Sequence, residues 1–226
     1  PLSHINSVVE RKNAIAILSN LVIKAFENHL FLSATDMDID ILEKFECKVI
    51  TPGSITVTAH ILYDIVRKLT DGSEIVIESN DGTASLSCNK SKFQLPILPV
   101  EDYPTLSQGE LPINFKLNVK DLCKLIDTTK FAISMEETRY YLNGILLEVS
   151  PSQINVVATD GHRLAWSSCK IKTDFTDEKI IIPRKSALEL QKLLNLYPEN
   201  VNVAFNSNQL KVFSDEYTFI SKLIEL

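Results

Sequence analysis

The feature that most constrains this chain is that one pattern is written in it twice. Ala34-Thr35-Asp36 recurs as Ala158-Thr159-Asp160, and the same offset of 124 residues lays "LSNLVIKA" from Leu18 over "LNGILLEV" from Leu142. It also lays "TVTAHILYDIVRKL" from Thr56 over "IIIPRKSALELQKL" from Ile180 without a gap. Further on the offset slips to 126, with "IVIESNDG" from Ile75 over "VNVAFNSN" from Val201, as a short insertion in a hairpin loop would produce. A long period held across several elements predicts two copies of one folding unit of about 110 residues each.

Local periodicity gives each copy its elements. Alternation of apolar and polar residues marks "LVIKA" and "HLFLSAT" as strands paired around Glu27-Asn28, and "SITVTA" as another. "EIVIE" and "ASLSC" flank Asn80-Asp81-Gly82, a strong hairpin-turn signal, and copy two repeats this with "VNVAF", Asn206-Ser207-Asn208 and "LKVF". Helical spacing appears from His60 to Leu69, where Ile61, Leu62, Ile65, Val66 and Leu69 are expected to face inward. Arg184 to Leu194 repeats it, with Ala187, Leu190, Leu193 and Leu194 inward and Arg184, Lys185, Gln191 and Lys192 outward. A second helix per copy is read in "NVKDLCKLIDTT", capped by Asn118, and in "PLSHINSVVE". The expected fold is therefore α+β: tandem domains, each an antiparallel sheet with two helices on one face.

The copies also bound one another. A polar stretch from Ser107 to Pro112 divides a first domain, residues 1–107, from a second, residues 108–226. Copy two opens on a strand, "NFKLNV", that copy one lacks, and copy one closes on "LPILPVEDYPTL", which copy two lacks. The reading is a fragment clipped at both ends.

Composition narrows the function classes. A formal charge of −6 argues against a protein that grips nucleic acid over its whole surface, while leaving room for local basic faces. The chain shows neither a secretory leader nor an apolar run near the ~18 residues of a membrane span. Its four cysteines are widely spaced, which fits reduced thiols in a cytoplasmic protein. Neither the cysteines nor the four histidines make a metal-ligand pattern. A nucleophile elbow and a phosphate-cradling glycine loop are missing too, so no cofactor, metal or catalytic residue is expected.

With these residues in view a resemblance emerges. "RYYLNGILLEV", "VVATDGHRLA" and "IIIPRKSALEL" resemble the middle domain of the bacterial sliding clamp, the β subunit of the replicative DNA polymerase. "AILSNL", "LSATDMDIDI", "VTAHILYDIVRKL" and "LPILPVEDYP" resemble its first domain. The resemblance implies a processivity factor and not an enzyme: three similar domains per chain, the third absent here, and two chains closing head to tail into a homodimer ring on double-stranded DNA. Basic helices would line the hole and sheets would form the outside. It further implies a pocket that docks peptides of the polymerase catalytic subunit, the clamp loader, other polymerases and repair proteins. Carried over by motif, that pocket comprises Leu142, Thr159, Gly161, His162, Arg163 and Leu164.

For DNA the resemblance points to Tyr140 and Tyr141, and to Lys12 with its neighbour Arg11. Helix faces add Arg67, Lys68, Arg184, Lys185 and Lys192, since phosphate contacts position a duplex without reading its sequence. Two alternatives stand beside this reading. One is a hydrolase built on Asp160 and His162, and the other is a two-domain peptide-binding adaptor that does not encircle DNA.

Overall fold

The computed structural model describes residues 2–10, 15–80, 82–107, 109–197 and 199–225. Its contacts divide the chain into two compact units, Pro1–Leu106 and Ser107–Leu226.

Unit 1 runs α1 (Leu2–Val8), β1 (Asn20–Phe26), β2 (His29–Thr35), β3 (Ile39–Glu46), β4 (Gly53–Thr58), α2 (Ala59–Val66), β5 (Val76–Asn80), β6 (Thr83–Cys88) and β7 (Ser91–Pro96). Antiparallel pairing joins β4, β1, β2 and β3 in that order, and β5, β6 and β7 form a separate sheet. The β1–β2 turn puts Glu27 at φ 47° and Asn28 at φ 59°, the left-handed pair that matches the twist of a two-residue hairpin. Helices α1 and α2 touch each other and the first sheet. They seal a core that includes Ile5, Leu21, Ile39, Ile41 and Leu62.

Unit 2 repeats the plan with β8 (Ile113–Asn118), α3 (Val119–Thr129), β9 (Gly144–Val149), β10 (Gln153–Thr159), β11 (Leu164–Lys170), β12 (Glu178–Pro183), α4 (Arg184–Leu194), β13 (Asn200–Phe205), β14 (Gln209–Phe213) and β15 (Tyr217–Lys222). Strands β12, β9, β10 and β11 pair in the order of their counterparts β4, β1, β2 and β3. Strands β8, β13, β14 and β15 make the other sheet. Helix α3 begins as expected: Asn118 Oδ1 accepts the Lys120 amide at 2.9 Å. It lies beside α4 on the β9–β12 sheet, over Ile126, Ile145, Leu147, Val156, Leu190 and Leu193, all at least 98% buried.

The α+β architecture with paired helices is as expected, and two details differ. Each unit divides its strands between two sheets: in unit 1 the three strands after α2 pair among themselves, and in unit 2 the strand before α3 joins the three after α4. Strand pairing across that distance has no local signature. In α2, helical spacing places Ile61 inward, yet it is 44% exposed. The α-helix ends at Val66, the chain continues with tighter i→i−3 bonds from Lys68 and Leu69, and of the residues expected to face inward only Leu62 is buried. The four cysteines are free, with Cys88 buried and the others half-buried. Among the described residues no helix is long and apolar enough to cross a membrane.

Candidate functional site

The β10–β11 turn is held by short polar contacts that its sequence specifies. Thr159 Oγ1 donates to the Arg163 carbonyl at 2.7 Å and accepts the Gly161 amide at 3.1 Å. Asp160 Oδ1 accepts the amides of His162 and Arg163, both at 3.0 Å, and Oδ2 takes the Arg163 Nε–H at 2.9 Å. Those two amides, with the Arg163 side chain, hold the Asp160 carboxyl down at about 2.

Unit 1 builds the same turn from Thr35 and Asp36. Thr35 Oγ1 donates to the Ile39 carbonyl at 3.0 Å, and Asp36 Oδ1 accepts the amides of Asp38 and Ile39 at 2.9 and 2.7 Å. The shared "ATD" is thus scaffold, and what differs is what the turn carries. Gly161 has φ +88°, but its counterpart Met37 holds φ +76°, so the backbone conformation alone does not require glycine. The space is also taken: a Cβ on Gly161 would lie 2.6 Å from Nη1, the far end of the Arg139 side chain, which would have to shift. The counterpart of Arg139 in unit 1 is Ile15, which is 54% exposed.

Arg139 is fixed from its other side. Its Nε and Nη2 both donate to Glu136 Oε2, at 2.9 and 2.7 Å, and this contact raises the guanidinium pKa above its ordinary value. It belongs to a short helical turn, Glu137–Leu142, which it interrupts with φ −113° and ψ 56°. The Ser134 amide donates to the Leu142 carbonyl at 3.1 Å, closing the loop that carries that turn.

The expected pocket residues divide accordingly. His162 and Arg163 line a cavity of about 520 Å³ together with Phe131, Ile133, Met135 and Leu188, and the Arg163 guanidinium lies 5.6 Å from the centre of the Phe131 ring. Leu142, Thr159, Gly161 and Leu164 do not line that cavity. Leu142 is half-buried beneath the loop, Thr159 and Gly161 form the turn, and Leu164 is 65% exposed at the start of the edge strand β11.

Tyr140 and Tyr141 are 60% and 50% exposed, with their rings edge to face at 5.9 Å, so neither is packed away in the core. Arg184, Lys185 and Lys192 share a cleft of about 490 Å³ with Lys130 and Leu188. Lys192 pairs with Glu189 and Lys130 with Asp127, both at 2.7 Å. In unit 1, Arg67 pairs with Asp64 at 3.1 Å and lies over the Tyr63 ring. Arg11 and Lys12 fall outside the described residues.

Sequence reasoning missed Lys130, Phe131, Glu136 and Arg139. Arg139 stands within the motif "RYYLNG", but its partner turn is 22 residues away and no local spacing joins them. The hydrolase alternative finds little footing, because the Asp160 carboxylate is committed to its own turn and to Arg163, not to orienting the imidazole of His162. Among the described residues no group of three or more His, Cys, Asp or Glu side chains could hold a metal ion.

Comparison with known proteins agrees along the chain. The family described as "DNA polymerase III beta subunit, N-terminal domain" matches residues 1–107, and "DNA polymerase III beta subunit, central domain" matches residues 116–226. The beta sliding clamp of Caulobacter vibrioides is 37% identical over 231 aligned residues, covering 99% of this chain and 62% of that protein. The solved DNA polymerase III subunit beta from Pseudomonas aeruginosa superposes with a TM-score of 0.95 at 35% identity, covering 100% of this chain and 62% of that one. A sliding clamp from Bartonella birtlesii, solved bound to griselimycin, gives a TM-score of 0.94 at 41% identity with the same coverage. The chain therefore spans about three fifths of the length of the relatives it matches.

Proposed function

This chain belongs to the sliding clamp family, the β subunits of bacterial DNA polymerase III, and from that premise we propose that it serves as a processivity factor in cytoplasmic DNA replication. As part of a head-to-tail dimer ring it encircles duplex DNA and docks the polymerase, the clamp loader and repair proteins through the β10–β11 turn. The encirclement accounts for the charge. Retention on DNA is topological, so an overall charge of −6 is no handicap, and only local cations need to meet phosphate. Arg184, Lys185 and Lys192, collected in one cleft of α4, supply them in unit 2, and the exposed Tyr140 and Tyr141 offer hydroxyl donors to the duplex backbone.

The observation that carries the docking reading is the comparison of the two turns. Both units use the same Thr-Asp hydrogen bonds to make the same shape, but only unit 2 adds Gly161, His162, Arg163 and Leu164, with a cavity of mixed apolar and charged lining beside His162 and Arg163 and an exposed leucine at the start of β11. Apolar walls with a few fixed polar groups suit a short peptide with apolar anchors.

The test is binding of fluorescent griselimycin, the ligand carried by the Bartonella relative, to the 226-residue chain. Arg163→Ala combined with Leu164→Ala is expected to weaken it about tenfold or more, as truncation of two anchors does. Unchanged affinity would remove the docking assignment.

A further inference from the structure

The loop that carries the aromatic pair is the same loop that props up the docking turn. Arg139 precedes Tyr140 and Tyr141 in the Glu137–Leu142 turn, and its guanidinium occupies the space left free by the missing side chain of Gly161. Glu136, on the same loop, holds that guanidinium by two donors, and the Glu136 amide is itself tied to Ser134 Oγ at 3.1 Å. Asp160 is close enough to act on that guanidinium through its charge, and its two oxygens are already engaged with the turn amides and Arg163. The Arg139 side chain is 34% exposed and that of Glu136 is 54% exposed, so both remain within reach of an arriving anion.

We propose that Arg139 is a positioning residue linking the two sites of unit 2, so that duplex DNA held at Tyr140 and Tyr141 weakens peptide docking at Gly161–Leu164, and a docked peptide weakens DNA binding by the same factor. This rests on the DNA and docking readings above. A backbone phosphate brought against the tyrosines attracts Arg139 and repels Glu136. The guanidinium then swings off Gly161, and the turn loses its support on that side. Reciprocity follows because one coupling free energy is shared by both binding events. The glycine takes on a role of its own: it is the point at which the turn feels the loop's position, whereas the counterparts in unit 1, Met37 and Ile15, carry no charge that a phosphate could attract.

The experiment measures griselimycin affinity of the 226-residue chain by fluorescence polarisation, with and without a saturating short duplex at low salt. The 15N-labelled chain is followed in parallel through its Gly161 and His162 amide signals. Wild type is expected to lose about fivefold or more in affinity when duplex is present, with both amides shifting. In Arg139→Lys, which keeps the charge but not the two-donor grip, the factor is expected to fall towards one whatever happens to affinity itself. An arginine that merely stabilised the fold would change affinity and leave the factor intact, and that result overturns the proposal. So does binding of both probes by wild type with no mutual effect. A chain that binds neither probe overturns the underlying readings along with it.

Discussion

Replacing Gly161 with alanine tests whether Arg139, and not the backbone angle, is what demands a glycine here. Two costs are separable. An alanine at φ +88° bears the left-handed penalty of about 1–2 kcal/mol, which Met37 already bears at the equivalent position of unit 1. Its Cβ must also displace Arg139 Nη1 from 2.6 Å, which means breaking the guanidinium's grip on Glu136 or moving the turn. If the turn moves, the left-handed penalty alone translates into a roughly 5- to 30-fold loss of the docking-competent conformation. The assay is a double-mutant cycle: griselimycin affinity and urea stability for wild type, Gly161→Ala, Arg139→Ala and the double variant. The alanine is expected to cost clearly less in the Arg139→Ala background, because the clash is gone and only the backbone penalty remains. Equal costs in both backgrounds would show that Arg139 has nothing to do with the glycine, and wild-type affinity in Gly161→Ala would refute the turn's role altogether.

Other outcomes follow from the same geometry. Asp160 starts from an ordinary value of 3.8 and falls to about 2 in the folded turn, so its contribution is complete above pH 4 and is lost as pH drops through 2. A carboxyl titration followed by NMR should find its midpoint near 2, and a midpoint near 4 would contradict the two amide bonds. Reversing Lys185 and Lys192 to Glu should weaken duplex binding and flatten its salt dependence by about one unit of slope for each phosphate that is no longer neutralised, with griselimycin affinity measured alongside as the control. An unchanged slope would place the α4 cleft away from DNA. Cutting Ile126 to alanine, a side chain 1% exposed between α3 and its sheet, should lower unfolding free energy by about 2–5 kcal/mol in a denaturant melt. A loss below about 1 kcal/mol would mean that the core there is looser than its burial implies.

Much of this was legible because the chain carries its own comparison. The offset of 124 locates corresponding strands and helices, and it separates the shared "ATD" from the added "GHRL" without any coordinate. Cap and turn residues report their own local structure: Asn118 caps α3, Glu27-Asn28 makes the hairpin, and Asp160 closes its turn on amides two and three residues on. Each of these depends on atoms only a few residues apart, which is the range over which sequence pattern and geometry are nearly equivalent.

What the sequence determined by itself was therefore the doubled α+β plan, most of the inward faces and the hydrogen-bonded form of the β10–β11 turn. Tertiary structure alone decided the division of each unit into two sheets, the exposure of Ile61 and of the tyrosine pair, and the cavity between Phe131 and Leu188. It also placed the Arg139 guanidinium against Gly161. A positive φ could be guessed from a glycine in a turn, but Met37 shows that the fold tolerates that angle without one. The contact with Arg139 comes from 22 residues earlier, and a meeting of groups brought together by chain folding has no period to betray it.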